Sequence, residues 1–375
     1  MNRKNVITVV VVLAVVIVGA IVFKSRQEQA PGQLTIGAIL PMTGAASGYG
    51  KWMQRGVQLA VEDINAAGGV AGRKIQVIVE DSKSDNRAGV DAANKLITVD
   101  NVAALEVALT GVTKSVMPIA DRQKMIVFTS ATAPGLTDDS EYLFRNATNI
   151  RNEVDRMTRA CLGTLGIKRV SVISVNNPVG PWVNDYFKRE FEAAGGEVPD
   201  ALLFQPDATD FRTQLEKIRL GNPQALYILG YQSTGLIMKQ ARELGLQCQF
   251  LGITDFELPE VLQIAGEAAD GAIYTKAAYD PGSEDPHVAA YAKKYEERYG
   301  EPPEVYSATV YDATRILAEA FREAGNDPQA LRQYILAIKD YPGASGITTF
   351  MQNGDVTKPV QLKKIDAISY VLIEE

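Results

Sequence analysis

Two short segments place hydroxyl side chains where strands should end: Ser130-Ala131-Thr132-Ala133-Pro134 and Thr110-Gly111-Val112-Thr113. The first follows the apolar run Met125-Ile126-Val127-Phe128 and precedes a Gly135-Leu136-Thr137 turn. Small hydroxyl residues with free backbone N–H groups at a strand end suit a small carboxylate. Unpaired N–H groups hold anions, and ligands of open α/β sheets sit at the carboxyl ends of the strands. The same residues also suit an ordinary strand exit rich in small side chains. The second segment stands just before a helix expected from Lys114. It offers matching chemistry to the same crevice, which favours a site over a mere exit.

Other candidate chemistry is thinner. Gly44-Ala45-Ala46-Ser47-Gly48-Tyr49-Gly50-Lys51 follows a strand and opens a helix. As a phosphate loop it fails: the Gly-to-Lys spacing is one residue too long, and Trp52 stands where a magnesium-binding hydroxyl is needed. As a dinucleotide fingerprint it fails too, because Met53 replaces the third glycine. What remains is a flexible loop that carries Tyr49 toward the strand-end crevice. The stretch Glu80-Asp81-Ser82-Lys83-Ser84-Asp85 lacks the spaced ligands of a calcium loop and reads as a solvated strand end. The single histidine, His287, lies in a helix entry, Asp285-Pro286-His287, and reads as a solvated surface residue. It argues against a histidine metal site or a Ser-His-Asp triad. With no nucleophile–base pair, no metal cluster and no cofactor motif, the chain reads as a binding protein rather than an enzyme.

The elements that must position these groups are bounded by length and composition. At 375 residues, 46% of them hydrophobic, the chain has material for two cores. Its net charge of −7, without long basic runs, argues against a nucleic-acid partner. Arg3 and Lys4 precede an apolar stretch over 6–23, 18 residues, which would span about 27 Å as a helix. It reads as a membrane anchor with Arg3 and Lys4 inside and the globular part exported. A signal peptide cleaved near Val18-Gly19-Ala20 is the competing reading. Residues 24–33 read as a polar tether. Cys161 and Cys248 are the only cysteines and read as two unpaired buried thiols.

Beyond the tether, strand and helix patterns alternate. Strands are expected at 34–40, 74–80, 102–109 and 125–129, with helices at 51–66, 87–99 and 114–123. After an interruption near 146–150 the rhythm resumes. Strands then fall at 169–175, 201–204, 225–229, 250–253 and 271–275, and helices at 152–165, 182–194, 211–220, 234–244 and 259–264. Such alternation gives parallel sheets covered by helices on both faces. The last third is mostly helical over 285–339, with a Glu301-Pro302-Pro303 break. It ends in strand-like pieces at 347–351 and 360–373 around an Asn353-Gly354-Asp355 turn. A helix-rich tail needs a sheet to cover, so it should pack back on the earlier parts.

Several ordered motifs resemble one family. Ile39-Leu40-Pro41-Met42-Thr43-Gly44, Tyr49-Gly50 and the stretch 56–70 are similar to the opening of leucine/isoleucine/valine-type periplasmic solute-binding proteins of ABC transporters. Ser130-Ala131-Thr132-Ala133-Pro134, Gln240-Ala241-Arg242-Glu243-Leu244-Gly245 and Ala265-Gly266-Glu267-Ala268-Ala269-Asp270-Gly271 follow in the family's order, and the likeness covers roughly 34–360. The resemblance implies a type I periplasmic-binding fold: two doubly wound α/β lobes joined by three hinge crossings, near 146–150, 275–278 and 345–349. Lobe 1 would comprise 34–147 and 277–347, and lobe 2 would comprise 148–276 and 348–375. It further implies a small-molecule ligand with a carboxylate, an amino acid of the branched-chain or similar type. Hinge closure would trap it for an ABC permease, in the periplasm or at the outer face of the membrane, and no cofactor is needed.

Carried over by position, Thr110, the Ser130 backbone and Thr132 would hold the carboxylate, with Gly111 and Ala131 beside them. Tyr49, Tyr231 and Tyr306 would supply aromatic walls. The sequence departs from the family in two places. Val179, before Gly180, stands where a tyrosine is common. The acid that pairs with a ligand ammonium aligns with Thr254, with Asp255 one step later. If Asp255 faces the cleft, an amino acid fits. If it faces away, a buried ammonium would lack its partner, and an amine-free carboxylate such as an aromatic acid becomes the better fit. A ligand-sensing ectodomain is the third reading.

Overall fold

The structure, a computed structural model, describes residues 32–366 and 369–373. The expected anchor at 1–23 and most of the tether lie outside the described residues. Among the described residues, no helix is long and apolar enough to cross a membrane.

The chain first builds β1 (Leu34–Leu40), α1 (Ser47–Ala66), β2 (Ile75–Asp81), α2 (Asn86–Thr98), β3 (Ala104–Val107), α3 (Thr110–Arg122), β4 (Val127–Thr129) and β5 (Leu143–Arg145). These strands form one sheet in the order β2-β1-β3-β4-β5, with every pair parallel. A second run gives α4 (Ile150–Leu162), β6 (Val170–Val175), α5 (Gly180–Ala193), β7 (Ala201–Phe204), α6 (Arg212–Leu220), β8 (Ala225–Leu229), α7 (Ser233–Glu243), β9 (Gln249–Gly252), α8 (Pro259–Ala265) and β10 (Ile273–Ala277). The chain then returns to the first sheet with α9 (Pro286–Tyr299), α10 (Val305–Ala324), α11 (Pro328–Ala337) and the ribbon β11 (Tyr341–Gly343) and β12 (Gly346–Thr348). Finally β13 (Val360–Asp366) and β14 (Ser369–Leu372) join the second sheet as antiparallel edge strands, completing the order β14-β13-β10-β9-β8-β6-β7.

β3, β6 and β8 are buried at every residue, as sheets covered on both faces require. The C-terminal helices do cover the first sheet. α10 is buried along most of its length and lies so close to α1 that a methyl group at Gly56 would sit 2.0 Å from the Ser307 carbonyl oxygen. Phe128, Phe144 and Phe350 pack together at 5.7–5.9 Å, so the chain still belongs to this core after β12. Cys161 and Cys248 are free and buried, in separate clusters of the second unit. His287 is exposed near the start of α9.

Three segments run between the two sheets: 146–149, 278–285 and 349–359. The first and third are tied together. Asn146 donates to Thr309 O at 3.0 Å and accepts from Thr348 Oγ1 at 3.3 Å, while Lys358 Nζ donates to Thr348 Oγ1 at 2.9 Å and Ser345 Oγ at 3.0 Å.

Two local expectations need correction. α1 begins at Ser47 rather than Lys51, so Tyr49 rides on a helix and not on a flexible loop. Its glycines permit close approach: a methyl group at Gly50 would lie 2.2 Å from the Pro41 carbonyl oxygen. α3 begins at Thr110 rather than Lys114, so the Thr110-Gly111-Val112-Thr113 segment is a helical turn.

Candidate functional site

The carboxyl ends of both sheets face one cleft, the place where open α/β sheets bind ligands. Residues that directly follow strands form its walls: Leu109 and Thr110 after β3, Ser130, Ala131 and Thr132 after β4, Asn177 and Val179 after β6, Gly230 and Tyr231 after β8, and Ile253 and Asp255 after β9. Tyr49 of α1, Ile150 and Glu153 of α4 and Tyr306 of α10 complete them.

The wall from the first sheet is built on a strained turn. Leu109 has φ +68° and ψ 134°, a conformation that costs a non-glycine residue on the order of 1–3 kcal/mol. The reversal starts α3 at once and leaves Thr110 in its first turn, against the cleft. One strand over, the chain leaves β4 through Thr129. Its hydroxyl donates to Val107 O at 2.8 Å and accepts the Ala131 N–H at 3.0 Å, while the Ser130 N–H reaches Val107 O at 3.4 Å. The expectation of free N–H groups along this segment is thereby corrected at Ser130 and Ala131, whose N–H groups stabilise the exit itself. Thr110, Ser130 and Thr132 remain the polar residues of this wall, with the Ser130 hydroxyl donating to Met53 Sδ at 3.8 Å.

Arg145, fully buried on β5, anchors the same segment from behind. Its Nη1 donates to Ala131 O at 3.2 Å and Ala133 O at 2.6 Å, its Nε donates to Asp355 Oδ1 at 2.7 Å, and its Nη2 pairs with the other Asp355 oxygen. One guanidinium thus satisfies two loop carbonyls and a buried carboxylate, the fork geometry that lysine could not supply.

The opposite wall carries Asp255, in a one-turn 3-10 segment after β9. Asp255 Oδ1 accepts the Tyr49 hydroxyl at 2.6 Å, and Oδ2 accepts the N–H groups of Tyr231 at 2.8 Å and Gly230 at 3.1 Å. Burial pushes its carboxyl up from the ordinary range, and these three hydrogen bonds oppose the rise. Burial and the Asp255 charge push the Tyr49 hydroxyl well above its usual value, so it stays a donor. Thr254 faces a separate small cavity with Thr148 and Lys358. The choice left open between Thr254 and Asp255 therefore falls on Asp255 as the residue of the cleft. Tyr231, at φ +50°, accepts from Asn177 Nδ2 at 3.1 Å. Tyr49 meets Tyr306 and Tyr231 edge-to-face at 5.0 and 6.2 Å, a favoured aromatic geometry.

The two walls also touch outside the cleft. Gln232 Nε2 donates to Ser47 Oγ at 2.9 Å. A methyl group at Gly48 would come within 2.7 Å of Leu258, so glycine there allows the walls to meet.

Residues 33–367 match the family model described as periplasmic binding protein. The chain belongs to the periplasmic binding protein family. One relative, the Leu/Ile/Val-binding protein homolog 3 of Brucella melitensis, is 27% identical over 334 residues, covering 87% of this chain and 89% of its own. Among solved structures, the leucine-binding protein LivK of Thermotoga maritima is 28% identical with a TM-score of 0.86, covering 91% of this chain and 98% of its own. The branched-chain amino acid binding protein LivJ of Streptococcus pneumoniae, solved with isoleucine, is 25% identical with a TM-score of 0.84, covering 92% of this chain and all of its own. The resemblance legible in the ordered motifs is therefore that of the family, and the α/β architecture with largely parallel sheets agrees with it.

In this periplasmic binding protein the cleft brings together Tyr49, Thr110, Ser130, Ala131, Thr132, Val179, Tyr231, Asp255 and Tyr306. It leaves out Gly111, which lies one residue into α3 against Asn86, and Thr254. Sequence reasoning missed Glu153, Asn177 and the apolar residues Met53, Leu109, Ile150 and Ile253. Asn177 had a signal: its Oδ1 accepts the Val179 and Gly180 N–H groups at 2.8 and 2.9 Å in the turn ahead of α5, a local turn role expected of asparagine.

Proposed function

We propose that this protein captures an amino acid, branched-chain or similar, outside the cytoplasm and presents it to an ABC permease. The observation that carries this reading is that Asp255 lines the same cleft as Thr110, Ser130 and Thr132 of the other wall. A zwitterion needs both: an acid for its ammonium and polar donors for its carboxylate. The surrounding wall is apolar, with Met53, Ile150, Val175, Val179 and Leu229, and suits an aliphatic side chain. The similar proteins, a Leu/Ile/Val-binding protein homolog, a leucine-binding protein and a branched-chain amino acid binding protein solved with isoleucine, support the same class.

On this reading the chain divides into lobe 1, 34–147 with 277–347, and lobe 2, 148–276 with 348–375, closing about three crossings. We move the last of these boundaries from 347/348 to after Val356, so that 348–356 go with lobe 1, because Phe350 packs on Phe128 and Asp355 pairs with Arg145 of lobe 1. The segment 6–23 would hold the protein at the membrane. An amine-free carboxylate fits less well, since the ionisable carboxylates lining the cleft, Asp255 and Glu153, are joined by no lysine or arginine among the described residues.

The test is a thermal shift of the purified full chain against the twenty L-amino acids and a set of aromatic acids. A ligand that binds the folded form raises the melting temperature by mass action. Stabilisation by aromatic acids and by no amino acid would overturn the proposal.

A further inference from the structure

The cleft holds a second acid that the carboxylate–ammonium pairing at Asp255 leaves unexplained. Glu153 sits in the first turn of α4, 2% exposed. It lines the main cleft with Asp255 and Tyr306, and its other side borders the small cavity of Thr254 and Lys358. Its one hydrogen bond among the described residues is long, from Thr275 Oγ1 to Oε2 at 3.4 Å. A carboxyl this deep normally finds close donors, because burying it without them is costly. The cation nearest in effect, Lys276 of β10, is already engaged by Glu257 at 2.5 Å and Glu304 at 3.4 Å.

The donor count at Asp255 points to what Glu153 awaits. Asp255 already accepts three hydrogen bonds, and a carboxylate has about four lone-pair sites. It has room for about one donor more. A primary ammonium brings three. The remaining N–H groups of an ammonium held at Asp255 need acceptors within the same cleft.

We propose that Glu153 is a second acceptor for the ligand's ammonium, so that the cleft selects a primary amine held between two carboxylates. This rests on the proposed amino-acid function and names the group that sets its amine specificity. The groups facing Glu153 are consistent with it. Asp255 of the turn after β9 and Glu304 at the N-terminus of α10 repel its charge, Lys276 of β10 attracts it, and the Tyr227 and Tyr306 hydroxyls from β8 and α10 both sense it. Burial first and the Asp255 charge second push the carboxyl up to about 8, so a cation brought between the two acids removes a repulsion as well as filling an acceptor.

The test measures binding of L-leucine, L-isoleucine, L-valine and L-alanine, and of the N-methyl derivative of whichever binds best, to the full chain by calorimetry. Wild type should prefer the primary amine over its N-methyl derivative by at least tenfold. E153Q should weaken binding of the parent amino acid by at least tenfold and reduce that preference to a few-fold. E153D, which keeps the charge but withdraws it, should fall between. Should E153Q not fold, judged by its melting curve, the wild-type preference and E153D carry the test. An amino acid bound equally by wild type and E153Q, or a wild type indifferent to N-methylation, overturns the role of Glu153 alone. A wild type that binds none of the four overturns the amino-acid reading and this inference with it.

Discussion

Replacing Asp255 by asparagine tests the amine end of the cleft. The side chain keeps its shape, and its oxygen can still accept the Gly230 and Tyr231 N–H groups, now at 3.1 and 2.8 Å. The amide nitrogen then faces the Tyr49 hydroxyl, which loses its charged acceptor at 2.6 Å. A ligand ammonium loses the ion pair altogether, in a place where Asp255 is 2% exposed and water cannot substitute. Removing one partner of a buried pair costs about 3–5 kcal/mol, which is roughly two to three and a half orders of magnitude in affinity. Calorimetric titration of D255N with the amino acid that binds wild type best reads this directly. Thr254→Val is the internal control. It alters the neighbouring residue, which faces the separate cavity, and should change affinity less than threefold. D255N affinity within threefold of wild type would refute the assignment, and a larger loss in T254V would transfer the role to Thr254.

Thr132→Ala should weaken ligand binding by about 1–3 kcal/mol, the cost of an unpaired charged acceptor, with little change in melting temperature. Unchanged affinity in calorimetry removes Thr132 from the carboxylate site. Glu106 of β3 accepts Thr314 Oγ1 at 2.7 Å, but its Oε2 is buried without a partner among the described residues, and burial pushes the carboxyl up to about 8. A carboxyl raised on folding favours the folded state fully below its unfolded value and loses that contribution as pH rises through its folded value. The Glu106 contribution to wild-type stability should therefore decline from about pH 4.5 to 8, and Glu106→Gln should remove that share, on the order of 4 kcal/mol, read as the difference between the mutant and wild-type melting-temperature profiles between pH 5 and 9. A profile identical to wild type contradicts the buried acid. Unliganded E153Q should be more compact than wild type at pH 7 in small-angle X-ray scattering, and an equal radius of gyration counts against the role of Glu153 in closure.

The strands of the second sheet were legible nearly to the residue, because β8 is an uninterrupted apolar run and β6 is apolar but for Ser171 and Ser174. β5 was not, since three residues ending in a buried arginine carry no periodic signal. The starts of α1 and α3 escaped for one shared reason. Ser-Gly-Tyr-Gly and Thr-Gly-Val-Thr are poor helix formers by intrinsic propensity, and it is tertiary contact, with Pro41 and Leu258 in one case and the Leu109 turn in the other, that begins the helix early. The hydroxyl wall was readable because small polar residues at a strand end are uncommon inside a core. Glu153 was not readable, because an acid in a helix's first turn is ordinary dipole complementation, and only the packing of α4 against β10 shows it to be buried. The Thr254–Asp255 choice needed the structure for a similar reason: a single 3-10 turn has no periodicity to assign a face.

The placement of the two acids bears on how ligand would drive closure. A ligand shifts a two-state equilibrium only through its different affinity for the two states. In the form described here, Tyr49 of one wall donates to Asp255 of the other and Ser47 meets Gln232, so the walls are already in contact. Burial raises both carboxyls in this form. On the proposed reading, closing the empty cleft at neutral pH therefore obliges Glu153 either to take up a proton or to be buried ionised. Taking its ordinary value of 4.5 when solvated and about 8 when buried, protonation at pH 7 costs on the order of 3 kcal/mol. An ammonium cancels that cost, whereas an amine-free acid adds a third negative charge to it. The same two carboxylates that recognise the amine would then also hold the empty lobes apart, so that amine selectivity and ligand-dependent closure have one electrostatic origin.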